Sequence, residues 1–338
     1  AGSHQVWDID ETCGRFLRYF MGKHLSTIIK ISITVLALLY VSSQVDLAVT
    51  GRRLLQAKLG WVLVGFLLVN GSLVVRAYRW LLLLRGIGET IRFQRLVSLY
   101  FAANFFNSVL PSSFSGDVLR AVEAAQDVPA KTAAGTVLVD RATGLLALFM
   151  IGLAALPFRP DNFPQTLFWQ TTAVCLIGLI VGFVLLEGRL MRKVGRFMPE
   201  ILQPAWQKVD GVILAVQACG WTAVWQAMGV SILFNLMQIG WFAAAGLALG
   251  YQVPFSHYFL VIPFLSLAIL LPSIGGLGIR EGLAPLLFAS ARLSSEQAVA
   301  LTLLVFAIER LSGLLGAPVY IFTTVQRSKR KNLSINEP

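Results

Sequence analysis

The chain has 338 residues, of which 56% are hydrophobic and only 13% are charged, whereas a soluble domain has roughly 25% charged residues. Continuous apolar runs of about 20 residues predict membrane-spanning helices, and the lack of polar and apolar alternation argues against a membrane β-barrel. The net charge of +11 comes from basic residues between the apolar runs. This distribution follows the positive-inside rule and argues against nucleic acid as a partner.

Taken in chain order, the elements begin with residues 1–24, which we interpret as a remnant of tag cleavage and a cytoplasmic N-terminal segment. Six segments are long and apolar enough to cross a membrane. Two further apolar limbs, at 93–110 and 255–271, end in Leu-Pro-Ser runs, each followed by a short predicted helix. The predicted spans are Leu25–Ser43, Leu59–Leu84, Thr132–Leu156, Leu167–Leu186, Trp221–Leu249 and Ala298–Thr324, and the short helices are Val118–Ala125 and Arg280–Ala291.

The positions of the basic residues predict an inner-membrane protein with both termini in the cytoplasm. Arg52, Arg53 and Lys58 fall on the outer side, and we explain them by a short surface helix. Residues 189–216 mix basic, aromatic and aliphatic positions, which predicts an amphipathic segment at the membrane interface. The predicted fold class is all-α and polytopic, with about six full spans and two re-entrant hairpins. The alternative, in which each hairpin limb is a span, raises the count to about eight or more.

The sequence contains an internal repeat of two motifs in the same order. LPSSFSGDVLR at Leu110–Arg120 is similar to LPSIGGLGIR at Leu271–Arg280, and DRATGLL at Asp140–Leu146 is similar to ERLSGLL at Glu309–Leu315. In the predicted topology the first hairpin enters from the cytoplasm and the second from outside, so the repeats are inverted, as in many transporters. One transmembrane domain is predicted at 25–325, with repeat one at about 59–156, a linker span and amphipathic segment at 167–216, repeat two at about 221–324, and a basic cytoplasmic tail at 326–338.

Each repeat carries an acidic residue followed by arginine, Asp140-Arg141 and Glu309-Arg310, about halfway along a predicted span. Each ionisable group at this depth costs roughly 2.5–3.5 kcal/mol on insertion scales, so it is expected to face the interior. We expect pairing between the halves, such as Asp140 with Arg280 or Glu309 with Arg120. The acid-Arg pairs either bind and gate a substrate or only hold the helices together, and Asp140 and Glu309 are candidates for charge balance or for a coupling proton.

Arg120 and Arg280 lie in or at the start of the short helices that follow the hairpin tips. Glycines near the tips, Gly116 and Gly276 among them, allow close backbone approach and positive φ. A helix N-terminus beside an arginine is an anion site, and lipid phosphate is the natural anion at this depth. The alternative is structural, with a helix cap at Ser115 or Asp117.

Further polar residues have two interpretations each. Arg76 and Arg79 lie about one turn apart and either extend to cytoplasmic headgroups or bind a phosphate headgroup. Asn104 and Asn107, a turn apart in the limb before Pro111, line a polar path or satisfy the broken backbone. Glu281 pairs near Arg280 or caps its helix.

The sequence lacks the signatures of several enzyme and metal-site classes. Three cysteines and three histidines are scattered, so neither a disulfide framework nor a zinc site is predicted. There is no nucleotide-binding loop, no Gly-x-Ser-x-Gly and no aspartate-rich metal motif. We therefore expect neither an enzyme nor a cofactor.

Several motifs together resemble the lysylphosphatidylglycerol synthase transmembrane region, also called the flippase-like domain family. They are RAYRWLLLL, LPSSFSGDVLR, DRATGLL and LPSIGGLGIRE, and the resemblance covers about residues 25–325. It implies a lipid flippase fold with two re-entrant hairpins. Bifunctional relatives move aminoacylated phosphatidylglycerol to the outer leaflet, and other members are associated with polyprenyl-phosphate sugars or hopanoids. The family pattern points to Pro111, Gly116, Asp117, Arg120, Asp140, Arg141, Pro272, Gly276, Arg280, Glu281, Glu309 and Arg310.

The leading hypothesis is a lipid flippase that stands alone, without the soluble aminoacyltransferase domain of the bifunctional relatives. It would pass a polar or phosphate-bearing headgroup through a cavity between the repeats while the tails stay in the bilayer. The alternative is a membrane scaffold or accessory subunit of a lipid-modifying or glycosyltransferase system. The expected partners are a membrane lipid and the bilayer, together with a second copy of the chain or a lipid-synthesis enzyme.

Overall fold

The computed structural model describes residues 31–43, 45–110, 114–161, 163–187, 203–268 and 276–323. These residues are almost entirely helical and contain no strand, which confirms the predicted all-α class. The helices are α1 Ile31–Ser43, α2 Leu47–Leu55, α3 Leu59–Ile87, α4 Phe93–Val109, α5 Ser115–Ala124, α6 Ala130–Ala155, α7 Gln165–Glu187, α8 Gln203–Ala248, α9 Phe255–Ala268, α10 Ile279–Phe288 and α11 Ser295–Leu314, and residues 316–323 continue α11 after one turn residue.

Five of these helices are long and apolar enough to cross a membrane, or six if α1 and α2, which meet at 94°, form one bent span. The predicted count of about six agrees with this range. Helices α4 and α9 have 17 and 14 residues, fewer than the roughly 20 that a span needs, which favours the lower count over the alternative of full spans. Pro111 and Pro272 lie outside the described residues, so the re-entrant path remains a prediction.

The predicted boundaries agree closely with several helices. Helix α10 ends at Phe288 and a 3-10 turn follows to Ala291, where the predicted short helix ends. The short helix expected near Arg52 is α2, whose N-terminus is capped by the Asp46 carboxylate. The predicted amphipathic segment at 189–216 lies partly outside the described residues, and its described part from Gln203 onward belongs to α8. The predicted span start at Trp221 matches a break in α8 at Gly220, where φ is 75°.

The long helix α8 lies at the centre of the fold, in contact with α3, α6, α7, α9 and α11. Small residues allow the close crossings. A Cβ atom at Gly135 of α6 would lie 2.6 Å from the Ala215 Cβ of α8. Because α8 spans both halves of the helical packing, its polar residues reach the charged groups of the other helices.

In both halves, the helix before the Leu-Pro-Ser run lies against the short helix after it. At one end of the α4–α5 pair, the Asn107 side chain accepts a hydrogen bond from the Gly116 backbone amide at 2.7 Å. At the other end, Arg95 pairs with Glu123 at 2.6 Å, so the two helices run antiparallel. A Cβ at Gly116 would overlap the Ala103 carbonyl, so glycine is required for this approach.

The second pair, α9 and α10, is joined at a buried histidine. An imidazole nitrogen of His257 lies 2.9 Å from the Leu287 carbonyl oxygen. Each short helix therefore packs on the limb that precedes it, as a helical hairpin requires.

We expect Gly135→Ala to lower the thermal unfolding midpoint of the detergent-solubilised protein, because its methyl group would overlap Ala215 at the α6–α8 crossing. Overpacking of this kind costs about 1–3 kcal/mol. The matched control is Gly229→Ala in α8, where a Cβ meets no atom within 4 Å and the gain in helix propensity is about 1 kcal/mol. Equal midpoints for the two variants would contradict the close crossing.

Candidate functional site

Asp140 is the centre of a buried charge cluster formed by α3, α4, α5 and α6. Its Oδ1 accepts a hydrogen bond from Arg79 Nε at 2.6 Å. Its Oδ2 accepts from the Tyr100 hydroxyl at 2.5 Å and from Arg120 Nη1 at 3.1 Å. Asp140 and Arg120 are fully buried and Arg79 is 2% exposed. A carboxylate with three donors and two guanidinium groups remains charged without solvent.

The cluster continues through Asp117 to the next arginine on α6. Arg120 Nη2 donates to Asp117 Oδ1 at 2.5 Å, and the other oxygen of Asp117 contacts Arg141 Nε. The Arg120 guanidinium also lies 4.2 Å from the Tyr100 ring centre, a distance at which the π-system stabilises the cation. Asp117 therefore connects the buried cluster to Arg141, which is partly exposed.

The second repeat forms a smaller cluster on α10 and α11. Arg280 is buried and its Nη1 donates to Glu309 Oε2 at 2.9 Å. Glu281 accepts the Gly278 backbone amide at 2.6 Å, which satisfies a free amide at the start of α10. Of the two interpretations of Glu281, helix capping is the one that this contact supports.

The expected pairing between the halves is wrong. Asp140 pairs with Arg79 and Arg120 of its own half, not with Arg280. Glu309 pairs with Arg280 of its own half, not with Arg120. The reason is local packing, because α5 contacts α6 and α10 contacts α11, so each short helix brings its arginine to the nearest acid.

Arg79 is a second correction. Its side chain does not extend to the membrane surface, because it is buried and bonded to Asp140. Its Nη1 also donates to the Ser231 hydroxyl of α8 at 3.0 Å.

Within the described ranges, the two halves are joined by hydrogen bonds and not by ion pairs. Arg310 Nη1 donates to the Asn107 backbone carbonyl at 2.6 Å. Asn104 donates to the Ser312 hydroxyl at 3.1 Å, and that hydroxyl donates to the Asn70 side chain at 3.0 Å. The Asn104 side chain therefore bonds the opposite repeat, whereas the Asn107 side chain accepts the Gly116 amide of its own repeat and so satisfies backbone near the break.

A polar cavity of about 240 Å³ lies where the two repeats meet. Its charged wall consists of three arginines and one carboxylate, so it carries an excess of positive charge. Both acid-Arg motifs contribute to it, through Arg141 from the first and through Glu309 and Arg310 from the second. The lining residues are Val69, Ser72, Leu73, Arg76, Asn104, Asn107, Ser108, Arg141, Phe234, Gln238, Trp241, Glu309 and Arg310.

Arg76 has no carboxylate partner among the residues that the structure describes. Its guanidinium lies 5.0 Å from the Tyr100 ring centre and 5.3 Å from that of Phe234. Its Nε is buried without a hydrogen-bond partner. Arg310 Nε is also buried without a partner, but Arg310 Nη1 binds the Asn107 carbonyl, whereas no hydrogen bond of the Arg76 guanidinium is seen within the described ranges.

The structure divides the sequence-predicted residues into two groups. Six line the cavity, six others form the buried clusters or caps, and Gly116 supports the α4–α5 contact. Gly276 has a φ of 82°, which fits the positive φ expected there. Pro111 and Pro272 lie outside the described ranges. The cavity group is Arg76, Asn104, Asn107, Arg141, Glu309 and Arg310, and the cluster group is Arg79, Asp117, Arg120, Asp140, Arg280 and Glu281.

Sequence reasoning missed Tyr100 and the polar side of α8. Ser231, Asn235 and Gln238 recur at intervals of four and three residues, which places them on one helix face. Ser231 contacts Arg79, Asn235 donates to the Gly144 carbonyl at 3.1 Å, and Gln238 lines the cavity. This spacing in an otherwise apolar span was the signal that could have identified them. No group of three metal-ligating side chains occurs in the described ranges.

We expect Asp140→Asn to destabilise the protein strongly, because it leaves two buried arginines without their anion. Removing one partner of a buried ion pair costs about 3–5 kcal/mol. Glu309→Gln is the matched comparison, and its effect should be smaller because the Glu309 side chain is 25% exposed and pairs with one arginine. Thermal unfolding midpoints in detergent measure the destabilisation by each variant. An equal decrease would contradict the larger contribution of Asp140 to stability.

The chain matches the family described as lysylphosphatidylglycerol synthase TM region over residues 27–316, as the sequence resemblance predicted. The matched range includes the cavity and both charge clusters. A comparison with curated proteins gave no match. The apolar helices and the family together indicate a multi-pass membrane protein with a lipid-related role. The chain belongs to the lysylphosphatidylglycerol synthase transmembrane region family.

Proposed function

We propose that the protein is a flippase that moves a lipid with a phosphate-bearing headgroup between the leaflets of the inner membrane. The observation that carries this proposal is the polar cavity between the two repeats, with its excess of arginine. A cavity with this charge favours an anion, and a guanidinium group binds phosphate oxygens through two parallel hydrogen bonds. The activity is transport without covalent chemistry.

The size of the cavity supports a headgroup as the occupant. Pockets that enclose drug-sized ligands have volumes of roughly 300–1,000 Å³, whereas this cavity measures about 240 Å³. A whole lipid with its acyl or prenyl chains exceeds this space. The chains therefore stay in the bilayer while the headgroup crosses among polar side chains.

Both repeats contribute to the cavity, so a change in their relative position alters its access. Arg141 comes from the first repeat, while Glu309 and Arg310 come from the second. In transporters built from inverted repeats, such a change exposes a central site to one side of the membrane at a time. In this proposal the repeats are inverted and both termini are cytoplasmic.

The second candidate function is a membrane scaffold or accessory subunit for a lipid-modifying or glycosyltransferase enzyme. The Asp140 cluster favours it, because buried and fully paired charges need no ligand. The cavity favours transport, because Arg76 lacks such a partner among the described residues.

Lipid movement in reconstituted vesicles separates these functions. We expect the wild-type protein to accelerate the movement of labelled phosphate-bearing lipids over protein-free vesicles. Arg76→Gln should slow it about 10-fold or more, because a hydrogen bond to a charged group is worth about 1.5–3 kcal/mol. This change removes a cavity charge without breaking an ion pair.

The matched control is Arg85→Gln, which removes the same charge from an exposed position on the same helix and should keep the wild-type rate. A labelled glycolipid without phosphate should move no faster than in empty vesicles. If the wild-type protein accelerates the movement of none of several phospholipids and polyprenyl phosphates, the flippase proposal is overturned. The scaffold function then remains as the candidate.

A further inference from the structure

A second cavity of about 170 Å³ lies among α1, α10 and the start of α11. Its apolar walls include Val41 from α1, Val45 from the bend after α1, and Val299 from α11. The polar groups are the Tyr40 and Ser295 hydroxyls and the Glu281 carboxyl group. It has room for several water molecules at roughly 30 Å³ each. This cavity shares no described lining residue with the polar cavity between the repeats.

Glu281 is fully buried at this cavity, and its two oxygens differ. One oxygen accepts the Gly278 backbone amide at 2.6 Å. The other, Oε1, is buried without a hydrogen-bond partner. No arginine or lysine of the described ranges lies within ion-pair distance of Glu281, because Arg280 binds Glu309.

The other buried or cavity-facing carboxylates of the described ranges are neutralised. Asp140 and Asp117 each contact two arginines, and Glu309 contacts one. An ionised carboxylate that is buried away from water and lacks a cation is strongly unfavourable, and such a group takes up a proton instead. The contacts of Glu281 fit the neutral acid, with Oε2 as the carbonyl acceptor and Oε1 as the hydroxyl.

We propose that Glu281 is a proton-binding site, and that its proton exchanges through the cavity beside α1. The titratable and charged groups that face it in the described ranges are Tyr40 from α1, Arg280 from its own helix and Glu309 from α11. None of them donates a hydrogen bond to the carboxyl group.

Arg280 connects this site to the polar cavity. Its Nη1 binds Glu309, which lines that cavity, while its Nε is buried without a partner. Loss of the Glu281 proton places a second negative charge near Arg280, which then neutralises Glu309 less completely. The polar cavity becomes less positive, so an anionic headgroup binds better when Glu281 is protonated. This last step rests on the proposed function, whereas the proton site does not.

Infrared difference spectroscopy of the full chain in detergent tests the proton site directly. The wild type should show the carbonyl stretch of one protonated carboxylic acid per chain at neutral pH, and Glu281→Gln should lose it. The side-chain oxygen of glutamine can accept the Gly278 amide as Glu281 does, so the variant should keep the wild-type unfolding midpoint. Glu309→Gln is the matched control and should retain the band.

Absence of the band from the wild type at neutral pH, or its persistence in Glu281→Gln, would overturn the proton site. The result is independent of lipid movement, so failure of the flippase assay leaves it unchanged. In vesicles that move lipid, the wild-type rate should rise as the pH falls and the Glu281→Gln rate should not. A wild-type rate without pH dependence, or the wild-type dependence in the variant, would overturn the coupling to the polar cavity.

Discussion

A carboxylate buried among apolar helices is stable as an ion only when cations and hydrogen-bond donors surround it. Asp140 satisfies this requirement with donors from three other helices, and Arg79 extends the contact to α8 through Ser231. One acidic side chain therefore determines where five helices must meet. Arg141, the next residue on α6, connects this meeting point to the cavity.

The two copies of the repeat use the same residue types for different purposes. In the first copy, the acid of the acid-Arg motif is buried and the neighbouring Arg141 reaches the cavity. In the second copy, both Glu309 and Arg310 reach it. The first copy thus supplies the fixed charge cluster, and the second supplies the more accessible groups. In the proposed transport, the buried charges of the first copy would hold the helices together, and the accessible charges of the second copy would contact the headgroup.

Sequence patterns predicted the helices and their approximate ends, because long apolar runs are local signals. They also identified nearly all of the charged residues that form the clusters and line the cavity. The partners of those charges were not predictable in the same way. Whether Asp140 meets Arg120 or Arg280 depends on how α5 packs on α6, which no local spacing encodes. Tyr100 was missed because a single aromatic residue in an apolar limb does not differ from a core residue until its hydroxyl has a partner.

The contact between the two halves differs from the contacts within each half. Every carboxylate-arginine pair within the described ranges joins residues of the same half, while Arg310, Asn104 and Ser312 join the halves by hydrogen bonds. Such bonds cost about 0.5–3 kcal/mol each to break, less than the roughly 3–5 kcal/mol for uncoupling a buried ion pair. The contact between the halves therefore depends on hydrogen bonds and helix packing, and its strength should vary little with ionic strength.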